Sequence, residues 1–168
     1  MRIAILTVSD AGARGERLDT SGDAIAAWVE SRGYALAARL LVPDEAGQIA
    51  GAICRWADED QADLVLTTGG TGLTTRDITP EATRTVLEKE APGIAEALRM
   101  TVYPRFHRAA LSRGTAGVRG RTLVVNLPGS TGGVRDGLAV LDDLVVHAVG
   151  LVRGTSADHA APDPQQRS

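Results

Sequence analysis

Short apolar runs alternate along this chain with longer stretches in which apolar residues recur every three or four positions. The run Ile3-Ala4-Ile5-Leu6 has no polar residue on either side of an extended chain, which is typical of a strand covered on both faces. Comparable runs recur further along and end at polar or glycine-containing loops. The pattern predicts four strands, over residues 2–8, 35–42, 64–67 and 122–125.

The stretches between these runs have the period of amphipathic helices. After the second strand, Ala46, Ile49, Ala50, Ile53 and Ala57 fall on one helical face. The predicted helices cover residues 20–32, residues 45–58, residues 80–89, a stretch towards Tyr103, and a long last helix from about residue 132.

Strands that alternate with helices predict an α/β fold of three layers, in which helices cover both faces of a mostly parallel sheet. Glycines between residues 107 and 122 indicate a short hairpin at the sheet edge. In this interpretation residues 1–153 form a single domain, and residues 154–168, which are small, polar and proline-containing, form a disordered tail. Right-handed crossovers would place the loops after the parallel strands along one edge, where such sheets bind ligands.

The third predicted strand runs into a glycine-rich loop. Gly69, Gly70 and Gly72 lack a Cβ, so main-chain N–H groups can approach a phosphate closely. The loop ends at Thr79-Pro80-Glu81, a helix start with Thr79 as N-cap, whose free N–H groups also favour negative charge. Asp77 lies between these elements, and a carboxylate among expected phosphates indicates a bridging Mg²⁺. These features predict a phosphate or nucleotide site, although such a loop can also be only a tight turn.

Other polar residues follow the remaining strands, at Ser9-Asp10, Asp44 and Asn126–Gly129. The topology would bring them to the same edge as the glycine loop. Asp44 and Asp77 are suited to holding Mg²⁺, but capping of the next helix would also explain Asp44. An ion pair with Arg76 or a loop hydrogen bond would likewise explain Asp77.

Composition narrows the functional classes. The chain has 168 residues, a mass of 17.5 kDa and a net charge of −3, and this acidic balance argues against bulk nucleic-acid binding. No apolar run approaches a membrane span of about 20 residues, and the chain opens on a strand rather than a signal peptide. The single cysteine excludes an internal disulfide, so we expect a cytoplasmic protein that binds neither membrane nor nucleic acid.

Nearly all positive charge is arginine, because Lys89 is the only lysine. The arginine-rich region is either a solvated face or a surface for an anionic substrate. Within it, Ser112-Arg113 is either a phosphate clamp or ordinary loop polarity. The first strand is not followed by G-x-G-x-x-G, and no Gly-Lys-Ser/Thr step is present, which disfavours a nicotinamide dehydrogenase and a P-loop ATPase. The arginines concerned are Arg99, Arg105, Arg108, Arg113, Arg119 and Arg121.

Two longer motifs carry a family resemblance. Thr68–Thr83, read as T-G-G-T-G-x-x-x-R-D-x-T-P-E-A-T, closely resembles the signature of molybdenum-cofactor biosynthesis proteins of the MogA/MoaB type. Val125–Ser130, read as V-N-L-P-G-S, resembles that family's second signature. Thr7–Asp10, Val42–Glu45 and Leu111–Arg113 are also similar, and all five pieces stand in the family's order over residues 1 to 150 or so.

The resemblance implies a Rossmann-like, molybdopterin-binding fold and a Mg²⁺-dependent molybdopterin adenylyltransferase. In that reaction the terminal phosphate of molybdopterin attacks the α-phosphorus of ATP, giving adenylyl-molybdopterin and pyrophosphate. The resemblance also implies a homotrimer, and hand-over of the product to a molybdenum-insertion protein.

The family pattern assigns roles to particular residues. It puts essential, metal-holding acids at Asp44 and Asp77, nucleotide contacts on the glycine loop, and pterin or phosphate contacts near Ser112 and the second signature. Relatives commonly continue that signature with Pro-Lys, whereas this chain has Thr131–Gly133; Arg135, one turn further on, could replace the missing lysine. With the strand-end residues, the predicted binding set is Ser9, Asp10, Gly69, Gly70, Thr71, Gly72, Thr79, Glu81, Ser112, Arg113, Asn126, Pro128, Gly129 and Ser130.

Two other functions fit the same residues. A molybdopterin carrier of this fold would bind the pterin without ATP turnover. An unrelated Mg²⁺–nucleotide phosphohydrolase would release phosphate without any pterin. The presence of both Asp44 and Asp77 favours the transferase over the carrier.

Overall fold

The computed structural model describes residues 1–155, which are built around a six-stranded sheet. The strands are β1 Arg2–Val8, β2 Ala35–Val42, β3 Leu64–Thr68, β4 Lys89–Glu90, β5 Ala116–Arg119 and β6 Thr122–Leu127. Their order across the sheet is β2-β1-β3-β6-β5-β4; the first four are parallel, and β5 is antiparallel to both β6 and β4. The predicted mostly parallel sheet is confirmed, as is the hairpin, which β5 and β6 form.

Helices cover both faces of this sheet. They are α1 Asp10–Ala13, α2 Thr20–Ser31, α3 Ala46–Asp58, α4 Thr79–Arg84, α5 Pro92–Val102, α6 Thr131–Asp142 and α7 Val145–Arg153, with a 3₁₀ helix over His107–Leu111. Residues of α3 and α4 pack on one face, and residues of α2, α5, α6 and α7 pack on the other. Of the described helices, none combines the length and apolar character that a membrane span needs.

The side chains of β1 show why its sequence is apolar throughout. Ile3 and Ile5 belong to the core under α2 and α6, whereas Ala4 and Leu6 belong to the core under α3. All four are fully buried. Successive side chains of a strand point to opposite faces, so a strand in the middle layer needs apolar residues at every position. The three-layer prediction is thereby confirmed.

The parallel strands end together at one edge of the sheet. Val8 pairs with Val42, Thr7 with Thr68, and Thr68 with Leu127. The chain segments that follow β1, β2, β3 and β6 therefore start side by side, and this edge is where the predicted binding residues meet.

The helix predicted over residues 80–89 is too long. The helix α4 ends at Arg84, and Lys89–Glu90 forms the edge strand β4. The backbone explains the difference, because the Glu88 N–H donates to the Val118 carbonyl and the Ala91 N–H donates to the Ala116 carbonyl, each at 2.8 Å. Pairing with β5 thus takes the segment that a helix would otherwise continue.

The single long last helix is also wrong. The chain breaks at Asp143-Leu144 into α6 and α7, and this turn lets Val145 and Val149 of α7 join the core beneath the sheet. The helix α7 ends at Gly154, whose φ of +70° is typical of a glycine helix stop. The predicted disordered tail lies, from residue 156 onward, outside the described residues.

Candidate functional site

The glycine loop starts directly after β3 and lies against β1 and α4. Gly69 has a φ of +97° and Gly70 a φ of +62°, both in the left-handed region that favours glycine. A Cβ on Gly69 would overlap the Val8 carbonyl oxygen. A Cβ on Gly70 would overlap Thr79 Oγ1 and lie 2.8 Å from Asp44 Oδ1. Bare backbone is therefore required for the loop to approach these neighbours.

Asp44 follows β2 and exchanges hydrogen bonds with Asp10. The Asp10 N–H donates to Asp44 Oδ2, and the Asp44 N–H donates to Asp10 Oδ1, each at 3.0 Å. Asp44 does not cap α3, since Glu45 is the N-cap and makes no side-chain cap bond. Burial raises the pKa of Asp44, and the charges of Asp10 and Asp77 add to this although the Asp10 hydrogen bond opposes it.

Asp77 is held inside the glycine loop. Its Oδ2 accepts a hydrogen bond of 2.8 Å from the Thr74 N–H. Of the two alternatives for Asp77, the loop hydrogen bond is present and the ion pair with Arg76 is not, because the Arg76 guanidinium binds the Asp10 carboxylate through two hydrogen bonds of 2.8 Å. Burial works against ionisation of Asp77, but hydrogen bonds from Thr74 and Gly72 outweigh it and lower the Asp77 pKa.

Asp44 and Asp77 line one cavity of about 390 Å³, called here the Asp44–Asp77 cavity. It lies at the carboxyl ends of the parallel strands. Five more of the predicted residues line it: Ser9, Gly69, Gly70, Gly129 and Ser130. Sequence reasoning missed other lining residues, among them Thr7, Arg17, Asp19 and Thr20, of which Asp19 is the N-cap of α2.

A second cavity, called here the α5–α6 cavity, has a volume of about 460 Å³. Four of the predicted residues line it: Ser112, Asn126, Pro128 and Ser130. Ser130 lines both cavities, so the two adjoin at the N-terminus of α6. Apolar side chains of α5 form part of the wall, including Leu98 and Val102.

The arginine-rich region divides between this cavity and the surface. Arg99, Arg105 and Arg108 line the α5–α6 cavity, whereas Arg119 pairs with Asp58 and Arg121 donates to the Arg153 carbonyl. Arg99 and Arg105 are already engaged, by the Gly114 carbonyl at 2.9 Å and by Asp136 at 2.5 Å. Arg108 makes no ion pair or side-chain hydrogen bond with residues 1–155. It is thus the cavity arginine most open to an anionic ligand.

Asn126 is buried, and protein groups satisfy its side chain. Its Nδ2 donates to Thr67 Oγ1 at 2.9 Å and to Thr83 Oγ1 at 3.0 Å, and its Oδ1 accepts from the Thr115 N–H at 3.2 Å. These bonds join β3, α4 and β6. Asn126 therefore shapes the wall of the α5–α6 cavity and has no spare amide proton for a ligand.

Arg113 fastens the glycine loop. Its guanidinium donates to the Gly72 carbonyl at 2.6 Å and to the Asp77 carbonyl at 2.7 Å, and also pairs with Glu81. The Arg113 N–H donates to the carbonyl of buried Thr71 at 2.9 Å. Arg113 thus holds the loop rather than a phosphate. Thr71, Gly72, Glu81 and Arg113 line neither cavity.

Hydroxyl residues of the site differ in what they do. Ser9 caps α1 and Ser130 caps α6, each accepting an N–H hydrogen bond of 3.1 Å on Oγ. The predicted Thr79 cap is wrong, because Ile78 occupies the N-cap position of α4. Thr79 is fully buried, and its Oγ1 has no hydrogen-bond partner among the described residues. An unpartnered buried hydroxyl beside Asp44 needs an explanation.

A profile described as a probable molybdopterin binding domain matches residues 4–147. The chain belongs to this molybdopterin-binding family. The resemblance found in the two signatures is confirmed, and the matched span includes every predicted site residue.

Individual members of the molybdopterin-binding family agree with this assignment. The molybdopterin adenylyltransferase of Helicobacter pylori is 39% identical over 158 residues, covering 92% of this chain and 89% of that protein. The molybdenum cofactor synthesis protein cinnamon of Drosophila melanogaster is 38% identical over 149 residues, covering 88% of this chain but 25% of that protein. The crystal structure of the molybdopterin biosynthesis enzyme MoaB from Thermus thermophilus has a TM-score of 0.86 and 51% identity, covering 91% of this chain and 96% of that one.

Whether this protein can hold Mg²⁺ depends on the metal-binding side chains that the Asp44–Asp77 cavity offers. Residues 1–155 contain no cluster of three or more His, Cys, Asp or Glu side chains placed to form a metal cage. Mg²⁺ is commonly bound by one or two carboxylates together with substrate phosphates, so two acids in one cavity suffice. Asp44 Oδ1 lies close to Gly70, and both residues line the Asp44–Asp77 cavity, whereas the buried Thr79 hydroxyl lines neither cavity. The residues present fit the ion.

The departure from the family's Pro-Lys has a clear structural setting. Thr131 begins α6, and Gly133 gives its N–H to the Ser130 cap. Arg135 is exposed and lines neither cavity, and its replacement of the missing lysine stays a prediction.

Proposed function

We propose that this protein is a molybdopterin adenylyltransferase of molybdenum-cofactor biosynthesis, with Mg-ATP and molybdopterin as its substrates. The observation that carries the proposal is the pair of adjoining cavities at one sheet edge. One contains two acids and the glycine loop, the other contains arginines and an apolar wall, and both reach Ser130. A two-substrate transfer needs this arrangement, because the attacking and leaving groups must meet in one line.

We assign ATP to the Asp44–Asp77 cavity. The glycine loop there exposes backbone to the phosphates, and Asp44 and Asp77 would hold Mg²⁺ with phosphate oxygens completing its shell. When bound, that ion supplies neutralisation of the negative charge on the transferring phosphate. The raised pKa of Asp44 agrees with a metal site here, because a bound cation would stabilise the ionised carboxylate that burial disfavours.

We assign the pterin to the α5–α6 cavity. The pterin has a flat, polar ring and an anionic side chain. The apolar wall of this cavity can pack against the ring, and the neighbouring arginines can bind the anionic side chain. Its terminal phosphate would lie near Ser130, where the N-terminus of the twelve-residue helix α6 favours negative charge. Arg108 would contact this substrate, because its guanidinium is not used by residues 1–155.

In the proposed reaction a terminal phosphate oxygen of molybdopterin forms a bond to the α-phosphorus of ATP, and the bond from that phosphorus to the pyrophosphate oxygen breaks. The residues of this chain hold the two substrates in position. The glycine loop holds the phosphates, Arg113 holds the loop, and the Pro128–Ser130 turn separates the two cavities at the point of transfer. A homotrimer, a cytoplasmic location and hand-over to a molybdenum-insertion protein stay predictions.

Pyrophosphate release from Mg-ATP, measured with and without molybdopterin, tests the proposal. We expect release by the wild type that depends on the pterin, and none above background from Asp77→Asn, a substitution that keeps a hydrogen-bond acceptor in the loop. Pterin binding without release would favour the carrier. Phosphate release without pterin would favour a phosphohydrolase.

A further inference from the structure

Asp10 makes contacts that tie three parts of the site together. We propose that Asp10 is a positioning residue for Asp44, and that the Arg76 guanidinium fixes Asp10 in that role. The inference rests on the proposed function, which assigns Asp44 to Mg²⁺ and the nucleotide. Asp10 was predicted to contact the ligand, but it lines neither cavity.

The Asp10–Asp44 pair sets the orientation of the Asp44 side chain. Each carboxylate accepts the backbone N–H of the other residue at 3.0 Å, so the ends of β1 and β2 are joined through both side chains. Asp44 uses Oδ2 in this exchange. Its Oδ1 lies close to Gly70, accepts no hydrogen bond from residues 1–155, and belongs to a side chain that lines the Asp44–Asp77 cavity. The geometry therefore leaves one defined oxygen available for a cation.

The Arg76 guanidinium offsets the negative charge of Asp10 next to Asp44. Its Nε and Nη2 bind the two Asp10 oxygens at 2.8 Å, which places a positive charge beside one of two adjacent carboxylates. Arg76 also precedes Asp77 in the glycine loop. The pair Asp10–Arg76 thus connects the segment that carries Asp44 to the segment that carries Asp77.

Helix capping does not account for Asp10. Ser9 is the N-cap of α1 and already receives the Gly12 N–H at 3.1 Å. The helix α1 has only four residues and buries none of them. The Asp10 carboxylate instead accepts hydrogen bonds from the Asp44 N–H and from the Arg76 guanidinium, which belong to two segments of the site.

The test measures ATP affinity by calorimetry in Mg²⁺ and in EDTA, without pterin, so that no turnover occurs. The ratio of the two dissociation constants reports the Mg²⁺-dependent part of binding. Asp10→Ala/Arg76→Gln removes the pair without changing net charge. Asp10→Asn/Arg76→Gln has the same charge but retains an oxygen that can accept the Asp44 N–H. Asp58→Ala/Arg119→Gln removes a similar pair away from both cavities, joined by two bonds of 2.7 and 2.8 Å, together with the bond of 3.0 Å from Arg119 to the Val86 carbonyl.

We expect Asp10→Ala/Arg76→Gln to lower the ratio by about tenfold, the typical effect of removing a group that orients a metal ligand. Asp10→Asn/Arg76→Gln should recover only part of it, because the Asp44 N–H regains an acceptor while the guanidinium that fixes residue 10 is absent, and the Asp58 control should keep the wild-type ratio. A wild-type ratio in Asp10→Ala/Arg76→Gln, or an equal loss in the Asp58 control, overturns the inference.

Melting curves accompany each variant. Should Asp10→Ala/Arg76→Gln not fold, Asp10→Glu takes its place, because the extra methylene moves the carboxylate while keeping its charge; a wild-type ratio in Asp10→Glu then overturns the inference. A wild-type protein whose ATP binding ignores Mg²⁺ contradicts the proposed function itself and removes the basis of the inference. The two failures are therefore distinguishable.

Discussion

Folding makes ionisation of the Asp44 carboxyl group less favourable. Burial, the largest cause, raises its pKa, so protonation favours the folded state. The stability linked to this group is fully present below the ordinary aspartate pKa and is lost as pH rises through the raised value. At neutral pH the ionised group therefore destabilises the fold, which is common where a residue is kept for function.

Asp44→Asn should separate function from stability. We expect a higher melting temperature at pH 7 than the wild type, because the half-buried charge is gone and the amide oxygen can still accept the Asp10 N–H. Pterin-dependent pyrophosphate release should fall by about a hundredfold or more, since a metal contributes several kcal/mol to such transfers. Calorimetry and a turnover assay check the two parts. A less stable variant with wild-type turnover would contradict both.

The Thr79 hydroxyl offers a second test at this scale. It is buried and unpartnered, so Thr79→Val should leave the free energy of unfolding unchanged or higher. If the hydroxyl serves the ligand, turnover falls by about tenfold, and Thr79→Ser keeps it. Thr83→Val is the matched control, because Thr83 Oγ1 already bonds Thr79 O and Asn126 Nδ2. The Thr83→Val protein should unfold more easily than the wild type. Equal changes in stability and turnover for Thr79→Val and Thr83→Val would contradict a role of the Thr79 hydroxyl in ligand binding.

Among the elements, the glycine loop depends on one distant side chain. Arg113→Lys keeps the positive charge but cannot reach Gly72 O, Asp77 O and Glu81 together. We expect the free energy of unfolding to drop by about 1–3 kcal/mol and the KM for ATP to rise while the KM for the pterin changes less. Urea titration and steady-state kinetics measure these effects. Unchanged values for all three quantities would show that the loop holds its shape without Arg113.

Element prediction succeeded where local pattern and tertiary packing agree. The run Ile3–Leu6 is a middle strand and is buried on both faces, as its sequence indicates. The segment 85–90 fails because its helical pattern competes with backbone pairing to β5, a partner some 30 residues away. The break at Asp143-Leu144 carries no glycine or proline, so no local signal announces it.

At the site, sequence order predicted which loops meet but not which atoms are free. Four strand-end segments do converge, because parallel strands end at one edge. The pairing of Arg76 with Asp10 instead of its neighbour Asp77 follows from the path of the loop, which no pattern encodes. Arg99, Arg105 and Arg108 were found as a cluster, yet only the fold separates them from Arg119 and Arg121.

At the scale of the whole molecule, ion pairs connect elements at both ends of the parallel strands. Opposite the site, Arg2 and Arg153 bind Asp63 at 2.7 and 2.8 Å, which ties β1 and α7 to the start of β3. Hydrogen bonds from Arg153 and then Arg2 lower the pKa of Asp60 to about 2, and at the site Arg76 lowers the pKa of Asp10 to about 2. These carboxylates favour the folded state when ionised.

Acid should therefore unfold the protein over a defined range. Lowered pKa values contribute stability above the ordinary value of 3.8, and this stability is lost as pH falls towards about 2. The melting temperature should decline steeply between these limits, and Asp60→Asn should flatten part of the decline. Melting curves at half-unit pH intervals measure it. A melting temperature constant across this range would contradict the role given to the ion pairs.

Transfer of the adenylyl group from ATP to the pterin can be followed with a radioactive label. ATP labelled at the α-phosphorus is mixed with Mg²⁺, molybdopterin and the protein, and the products are separated. We predict that the label leaves ATP in step with pyrophosphate and appears in a compound that also contains the pterin, with none transferred by Asp77→Asn. Label recovered as free AMP, or remaining in ATP while the pterin is bound, would contradict the transfer.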